Sequence, residues 1–248
     1  MGMPTSILIT GATSGIGWSL CHHYHHLGYK VFACGRNQEK LGQLARLGMK
    51  TFAFDVNDES QVAQIASQVP PLNLLLLNAG DCRYIDDAVN FDHQLFSQIV
   101  QTNLVSVGTL LHYFLPKVIS GGQVAFISSS ATLVPFPKAE AYGASKAGID
   151  YLANSLRIDL TSKKIDVTLI HPGFVKTPLT DKNQFSMPFM LTSEQAAQRI
   201  FNGIFSRKKT VQFPKRLTWT LRLFSMLPTT LWQKIITPKP ANKPEVIG

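Results

Sequence analysis

The stretch Ser6-Ile7-Leu8-Ile9-Thr10-Gly11-Ala12-Thr13-Ser14-Gly15-Ile16-Gly17 runs from an apolar, strand-forming segment through three glycines into a helical pattern. Gly11, Gly15 and Gly17 permit a tight turn between strand and helix and let the backbone approach a pyrophosphate at the helix N-terminus. A plain strand-to-helix turn would carry the same glycines, so the surrounding pattern decides. Apolar segments at Ser6–Thr10, Lys30–Gly35, Thr51–Phe54, Leu72–Leu77, Gln123–Ser128 and Asp166–His171 read as strands. Between them, helical patterns cover Ile16–Leu27, Gln38–Leu47, Glu59–Ser67, Asp92–Ile119 and Tyr142–Ser162, and another follows at Glu194–Phe205. Leu74–Leu77 and Val124–Ile127 are continuously apolar rather than alternating, which suits strands covered by helices on both faces. Asn37 and Ser193 are placed to cap helix N-termini, and Gly28 and Gly48 follow helix C-termini. The βαβ order predicts an α/β fold with a doubly wound parallel sheet of Rossmann type.

A chain of 248 residues with no Pro/Gly/Ser-rich linker suits one hydrophobic core. The expected division is a Rossmann-type domain over residues 1–213, ending in a last strand at Val211–Phe213, and a basic, amphipathic extension over 214–248. With 45% apolar and 16% charged residues, the composition excludes disordered and fibrous classes. Cys21, Cys34 and Cys82 form no CxxC pair, so neither a disulfide framework nor a zinc site is indicated. His22 and His26 have the spacing of a metal pair but no accompanying carboxylate or thiol ligand, and no metal is expected. The segment before Ile7 leaves no room for a secretory leader, which points to the cytoplasm. Gly2 and Ser6 match a myristoylation pattern that permits lipidation without diagnosing it. Of the net charge of +9, +8 is carried by residues 206–248, which hold nine of the 24 Lys and Arg but one of the 15 Asp and Glu. Any anionic partner would therefore meet the tail.

Tyr142-Gly143-Ala144-Ser145-Lys146 sets a phenol and an ammonium four residues apart on one face of a predicted helix. A phenol is a poor acid/base at neutral pH, and a neighbouring cation favours the phenolate. Together with the glycine turn, in this order and spacing, the chain resembles the short-chain dehydrogenase/reductase family in its compact form, from about Ser6 to Thr177 by motif. Further segments fit. Asp55-Val56 resembles the pair that contacts adenine, and Asn78-Ala79-Gly80 resembles the floor of the cofactor site, with Leu77 where the family usually has another Asn. Ser129 stands thirteen residues before Tyr142, the family's spacing for its catalytic serine. His171-Pro172-Gly173-Phe174-Val175-Lys176-Thr177 resembles the segment beside the nicotinamide.

The resemblance implies an oxidoreductase acting on alcohol or carbonyl carbons, with Asn103, Ser129, Tyr142 and Lys146 as the catalytic set. Tyr142 would exchange the proton, Ser129 would bond the developing oxyanion, Lys146 would hold the ribose and depress the phenol pKa, and Asn103 would position a water. It also implies a dinucleotide held by Gly11, Thr13, Ser14, Gly15, Ile16, Gly17, Arg36, Asp55, Val56, Asn78, Ala79, Gly80, Tyr142, Lys146, Pro172, Gly173, Val175 and Thr177. Members that prefer NAD(H) usually carry an acidic residue after the second strand; Gly35-Arg36 stands there instead, which favours NADP(H). The long helices Asp92–Ile119 and Tyr142–Ser162 resemble those through which members form homo-oligomers.

Pro178–Leu191 is apolar through Leu179, Phe185, Met187, Phe189 and Met190, as either a lid for an apolar substrate or a loop packed on the domain. In the tail, Leu217, Leu221 and Phe224 share a helical face near Lys215, Arg216 and Arg222. That face suits peripheral contact with anionic membrane, a flap over the substrate site, or an oligomer contact. The tail is too interrupted to span a bilayer, and it lacks a nucleic-acid recognition motif. A module of this fold that binds NADP(H) without turnover is the alternative, though a sensor has no need of the complete catalytic set.

Overall fold

The computed structural model describes residues 5–182 and 186–237. Gly2, Phe185 and the end of the tail lie outside the described residues. The strands are β1 Ser6–Thr10, β2 Lys30–Gly35, β3 Lys50–Ala53, β4 Leu72–Leu77, β5 Val118–Ile127, β6 Asp166–Pro172 and β7 Thr210–Phe213. They form one sheet in the order β3-β2-β1-β4-β5-β6-β7, parallel at every pairing. The helices are α1 Gly15–His26, α2 Gln38–Arg46, α3 Glu59–Ala66, α4 His93–Val100, α5 Ser106–Phe114, α6 Glu140–Asp159, α7 Ser193–Phe205, α8 Lys215–Ser225 and α9 Thr229–Ile236.

The continuously apolar strands are explained by two cores. Ile7 and Ile9 of β1 join Leu74 and Leu76 of β4 on the face covered by α1 and α7, with Leu20, Ile200 and Ile204. Leu8, Leu75 and Leu77 point the other way into a cluster with Phe114 of α5 and Ile149 of α6. Alternation along each strand feeds both layers, so every position must be apolar. The strand order reverses between β1 and β4. Their following segments leave to opposite sides and open a crevice at the carboxyl ends of the strands.

Local signals explain most boundaries. The Asn37 side chain accepts from Lys40 N at 3.0 Å and starts α2. Gly28 and Gly48 end α1 and α2 with φ of +81° and +96°. Two expectations are corrected. Helix α7 is capped by Thr192, which forms a reciprocal capping box with Gln195, so Ser193 is already helical. The helix expected over Asp92–Ile119 is three pieces: α4, a π-helical turn over Gln101–Val105, and α5. Pro116 lacks an N–H and sits in the 3₁₀ turn that ends it, leaving Val118 and Ile119 to begin β5.

The tail folds back on the domain. Leu221 and Trp232 are buried with Val134, joined by Leu217, Phe224, Ile236 and Phe136. Trp232 Nε1 donates to the carbonyl of Pro135 at 2.7 Å. The Leu217/Leu221/Phe224 face offered above for membrane contact is thus turned inward, because the loop after β5 presents an apolar surface to it. Among the described residues, no helix is long and apolar enough to cross a membrane.

Candidate active site

The crevice holds a cavity of about 930 Å³ lined by the glycine turn, the ends of β2, β4, β5 and β6, the start of α6 and parts of the tail. At its floor, Gly11 and Gly15 adopt φ of +66° and +49°. A Cβ on Gly11 would lie 2.9 Å from Ala79 Cα, and one on Gly17 would lie 2.1 Å from the Gly11 carbonyl oxygen. Asn78 Nδ2 donates to the carbonyls of Thr10 and Gly11, at 3.0 and 3.2 Å. Thr10 Oγ1 accepts from the N–H groups of Asn78 and Ala79. The turn is thereby bound to the end of β4. Replacing the family's usual Asn by Leu77 leaves this lacing intact, because Leu77 points into the core.

Ser14 precedes α1 without a side-chain capping bond, and with Thr13 and Ile16 it lines the cavity where the first N–H groups of α1 open. That arrangement fits a pyrophosphate. Arg36 and Asp55 form an exposed pair at 3.3 Å, and Val56 lines the same end. Thr177 packs over Gly15, where a Cβ would come within 2.8 Å of its methyl group. Gly173 N donates to Phe213 O at 2.7 Å, and Pro172, Gly173 and Val175 continue the wall.

At the other end stand Tyr142, Lys146, Ser129 and Asn103. The structure separates the three consecutive serines. Ser128 is buried and bonds Asp150 and the Lys146 carbonyl. Ser129 has extended backbone, accepts from Ala131 N at 3.1 Å and stands close enough to Tyr142 for its hydroxyl to act on the phenol. Ser130 is buried in the following 3₁₀ turn. Asn103 lies in the π-helical turn, a geometry frequent at functional positions. Its amide donates to Asp81 O at 2.8 Å and Ser145 Oγ at 3.0 Å, and its oxygen accepts from Asp81 N at 2.7 Å. The side chain thus ties the segment after Asn78-Ala79-Gly80 to α6.

Lys146 Nζ donates to Ile127 O at 2.9 Å and sits 5.9 Å from the centroid of the Tyr142 ring. Burial pulls the ammonium down to about 8, against the opposing influence of Cys82 and Asp150. The phenol is pushed above its ordinary value by burial and by Cys82, with the Ser129 hydroxyl acting the other way. This corrects the expectation that Lys146 depresses the phenol. Desolvation dominates.

Because folded Lys146 releases its proton at about 8 and an unfolded lysine near 10.5, the unfolded state binds more protons between these values. Stability from this group therefore rises with pH through that window. Cys21 and Cys34 are held above their ordinary 9.0 by burial and oppose the trend at higher pH. The Tm of the parent relative to Lys146→Met is expected to climb between about pH 7.5 and 9, the range set by the depressed lysine pKa. A flat difference in a thermal scan would show that the lysine stays charged.

One network escaped sequence reasoning. Asp150, one turn beyond Lys146 on α6, accepts from Ser128 Oγ and pairs with His171 Nε2 at 2.9 Å. Burial alone would raise the Asp150 carboxyl, but the bonds from His171, Ser128 and Thr132 hold it below its ordinary value. The i, i+4 placement of Lys146 and Asp150 was a visible signal; their link to His171 across the sheet was not. Cys82 lines the cavity beside Tyr142, and burial pushes its thiol up. Phe136, Leu179 and Pro188 form an apolar wall completed by Leu217, Leu221 and Ile236 of the tail.

A doubly wound sheet, a glycine turn built to receive a dinucleotide and a Tyr142–Ser129–Lys146 cluster at one cavity define the nucleotide-binding oxidoreductase class. The family model for short chain dehydrogenases matches residues 5–187. The chain belongs to that family of oxidoreductases. It is 30% identical over 237 residues to an uncharacterized oxidoreductase of Myxococcus xanthus, covering 91% of this chain and 93% of the relative. It is 29% identical to a probable NADP-dependent dehydrogenase of Haemophilus influenzae, over 82% of each chain. Its fold is similar to that of a short chain dehydrogenase from Burkholderia cenocepacia in complex with NADP, with a TM-score of 0.84, 20% identity, and 95% and 98% of the two chains covered.

Proposed function

We propose that the protein moves a hydride between NADP(H) and an alcohol or carbonyl carbon of an apolar substrate, with Tyr142 as the acid/base. The observation that carries this reading is the meeting, in one cavity, of the glycine turn, the Tyr142–Ser129–Lys146 cluster and an apolar wall. The bound nicotinamide supplies or accepts the hydride. Tyr142 gives its proton to the carbonyl oxygen in reduction and takes it back in oxidation; its raised pKa keeps it protonated and ready to donate. Ser129 stands beside the phenol and bonds the substrate oxygen. Lys146 carries its charge into the ribose side of the site, while Asn103 fixes the backbone beneath it. Arg36 supports the choice of NADP(H), since its guanidinium can leave an exposed pair with Asp55 for a phosphate. The names of the Haemophilus influenzae relative and the Burkholderia cenocepacia complex favour the same choice.

Residues 1–213 form the catalytic domain in this reading, and 214–237 close its substrate side through Leu217, Leu221 and Ile236. A homo-oligomer assembled through α5 and α6 is supported by Tyr151 and Ile158, which are 81% and 77% exposed and seven residues apart on α6.

The test is a series of straight-chain aldehydes of increasing length, each reduced with NADPH and with NADH. NADPH is expected to be preferred, and kcat/KM to rise about fourfold per methylene until the apolar wall is covered. Preference for NADH, or kcat/KM independent of chain length, would overturn the cofactor or the substrate assignment respectively.

A further inference from the structure

Helices α8 and α9 are apolar on both sides. Their inner faces are covered by the domain, as described. Outward, Trp219, Leu223 and Met226 of α8 are 73%, 64% and 82% exposed, and Leu231 and Ile235 of α9 are exposed as well. Lys215, Trp219, Arg222 and Met226 recur at intervals of four, three and four, one stripe of a helix, with Arg216 and Leu223 beside it. All six are exposed. Lys234 adds a further exposed cation on α9. Residues 206–237 contain no Asp or Glu, and among the described residues no carboxylate pairs with Lys215, Arg216, Arg222 or Lys234.

We infer that this outward face of α8 and α9 docks the protein on an anionic lipid bilayer. Cations interleaved with Trp, Leu and Met on one exposed helical face match an interface where acyl chains meet negative headgroups. A second copy of the chain suits the face poorly, because a two-fold contact would set these unpaired cations against their own copies. A nucleic acid would satisfy the charge but leave the exposed aliphatic side chains in water. The face differs from the one the tail sequence suggested, since Leu217, Leu221 and Phe224 are occupied inside. The inner residues Leu217, Leu221 and Ile236 line the substrate cavity, so docking would set that cavity about one helix diameter, ~10 Å, from the membrane. An apolar substrate could then enter from the bilayer. That consequence rests on the proposed apolar substrate; the docking does not, and its test uses no substrate.

Full-length protein is sedimented with vesicles of equimolar phosphatidylglycerol and phosphatidylcholine, and with vesicles of phosphatidylcholine alone. Binding is expected to the anionic vesicles at low salt, to weaken as salt is added, and to shift the Trp219 emission to the blue. Arg216→Gln with Arg222→Gln is expected to weaken binding about 25-fold, roughly fivefold for each cation. Trp219→Ser with Met226→Ser should weaken it at unchanged charge. Failure to bind anionic vesicles overturns the inference, as does parent-like binding by both variants, which would place the contact elsewhere in the tail. Displacement by duplex DNA with no blue shift would assign the face to nucleic acid. A lower sedimentation coefficient of the Trp219→Ser/Met226→Ser variant without lipid would make the face a contact between copies.

Discussion

Tyr142→Phe is expected to lower turnover by about three orders of magnitude, within the range that a positioned acid/base supplies. The ring keeps its packing at the start of α6, and only the phenol hydroxyl is removed. Loss of the hydroxyl should cost about 1 kcal/mol of stability at most, since Ser129 retains its contact with Ala131 N. Dinucleotide affinity should stay within a few-fold of the parent, because the glycine turn is built from other residues. Fluorescence titration with NADPH and steady-state turnover separate these outcomes. Turnover within a few-fold of the parent would sink the assignment of Tyr142 as the proton donor.

Gly17→Ala should act on the other end of the cavity, through sterics rather than chemistry. Its new methyl would lie 2.1 Å from the Gly11 carbonyl oxygen and 2.6 Å from Asn78 Nδ2. Neither atom has room to retreat. Gly11 is itself held at φ +66° with Ala79 directly behind it, and Asn78 Nδ2 is held by two carbonyls. Helix α1 must move off the turn, breaking the lacing between β1 and β4, at a cost of about 3 kcal/mol or more. NADPH affinity should fall at least about 100-fold, since displacement of the N–H groups at the helix start removes the anion site. Gly42→Ala is the matched control: nothing lies within 4 Å of its Cβ position in α2, so it should stabilise by roughly 0.5–1 kcal/mol. Denaturant midpoints read both. Equal stability of the Gly17→Ala protein and the parent would show that the turn is looser than its contacts imply.

Particular residues show why the sequence carried the architecture so far. Leu74–Leu77 and Val124–Ile127 announced strands buried on both faces, and the sheet has two cores that use alternate residues of each. Tyr142 and Lys146 were legible because a helix brings positions four apart together whatever surrounds them. Family spacing singled out Ser129; the structure places it at the phenol, and leaves its part in the reaction to the experiment on Tyr142. Boundaries were less legible. Pro116 divides a helical pattern from β5, and Thr192 outcompetes Ser193 as a cap because Gln195 stands at the reciprocal position.

The sequence by itself therefore determined the α/β class, the parallel sheet, the glycine turn and the Tyr142–Lys146 pair, all features set by periodicity and local spacing. Tertiary structure alone decided three others. The Asp150–His171 pair joins α6 to β6, and no spacing along the chain encodes that distance. The Lys146 and Tyr142 pKa directions follow from desolvation, which exists only once the cavity walls are in place. In α8 both faces are apolar, so periodicity could not say which one the domain would cover. Val134, Phe136 and Trp232 made that choice by burying Leu221, and left Trp219, Leu223 and Met226 facing outward among the cations.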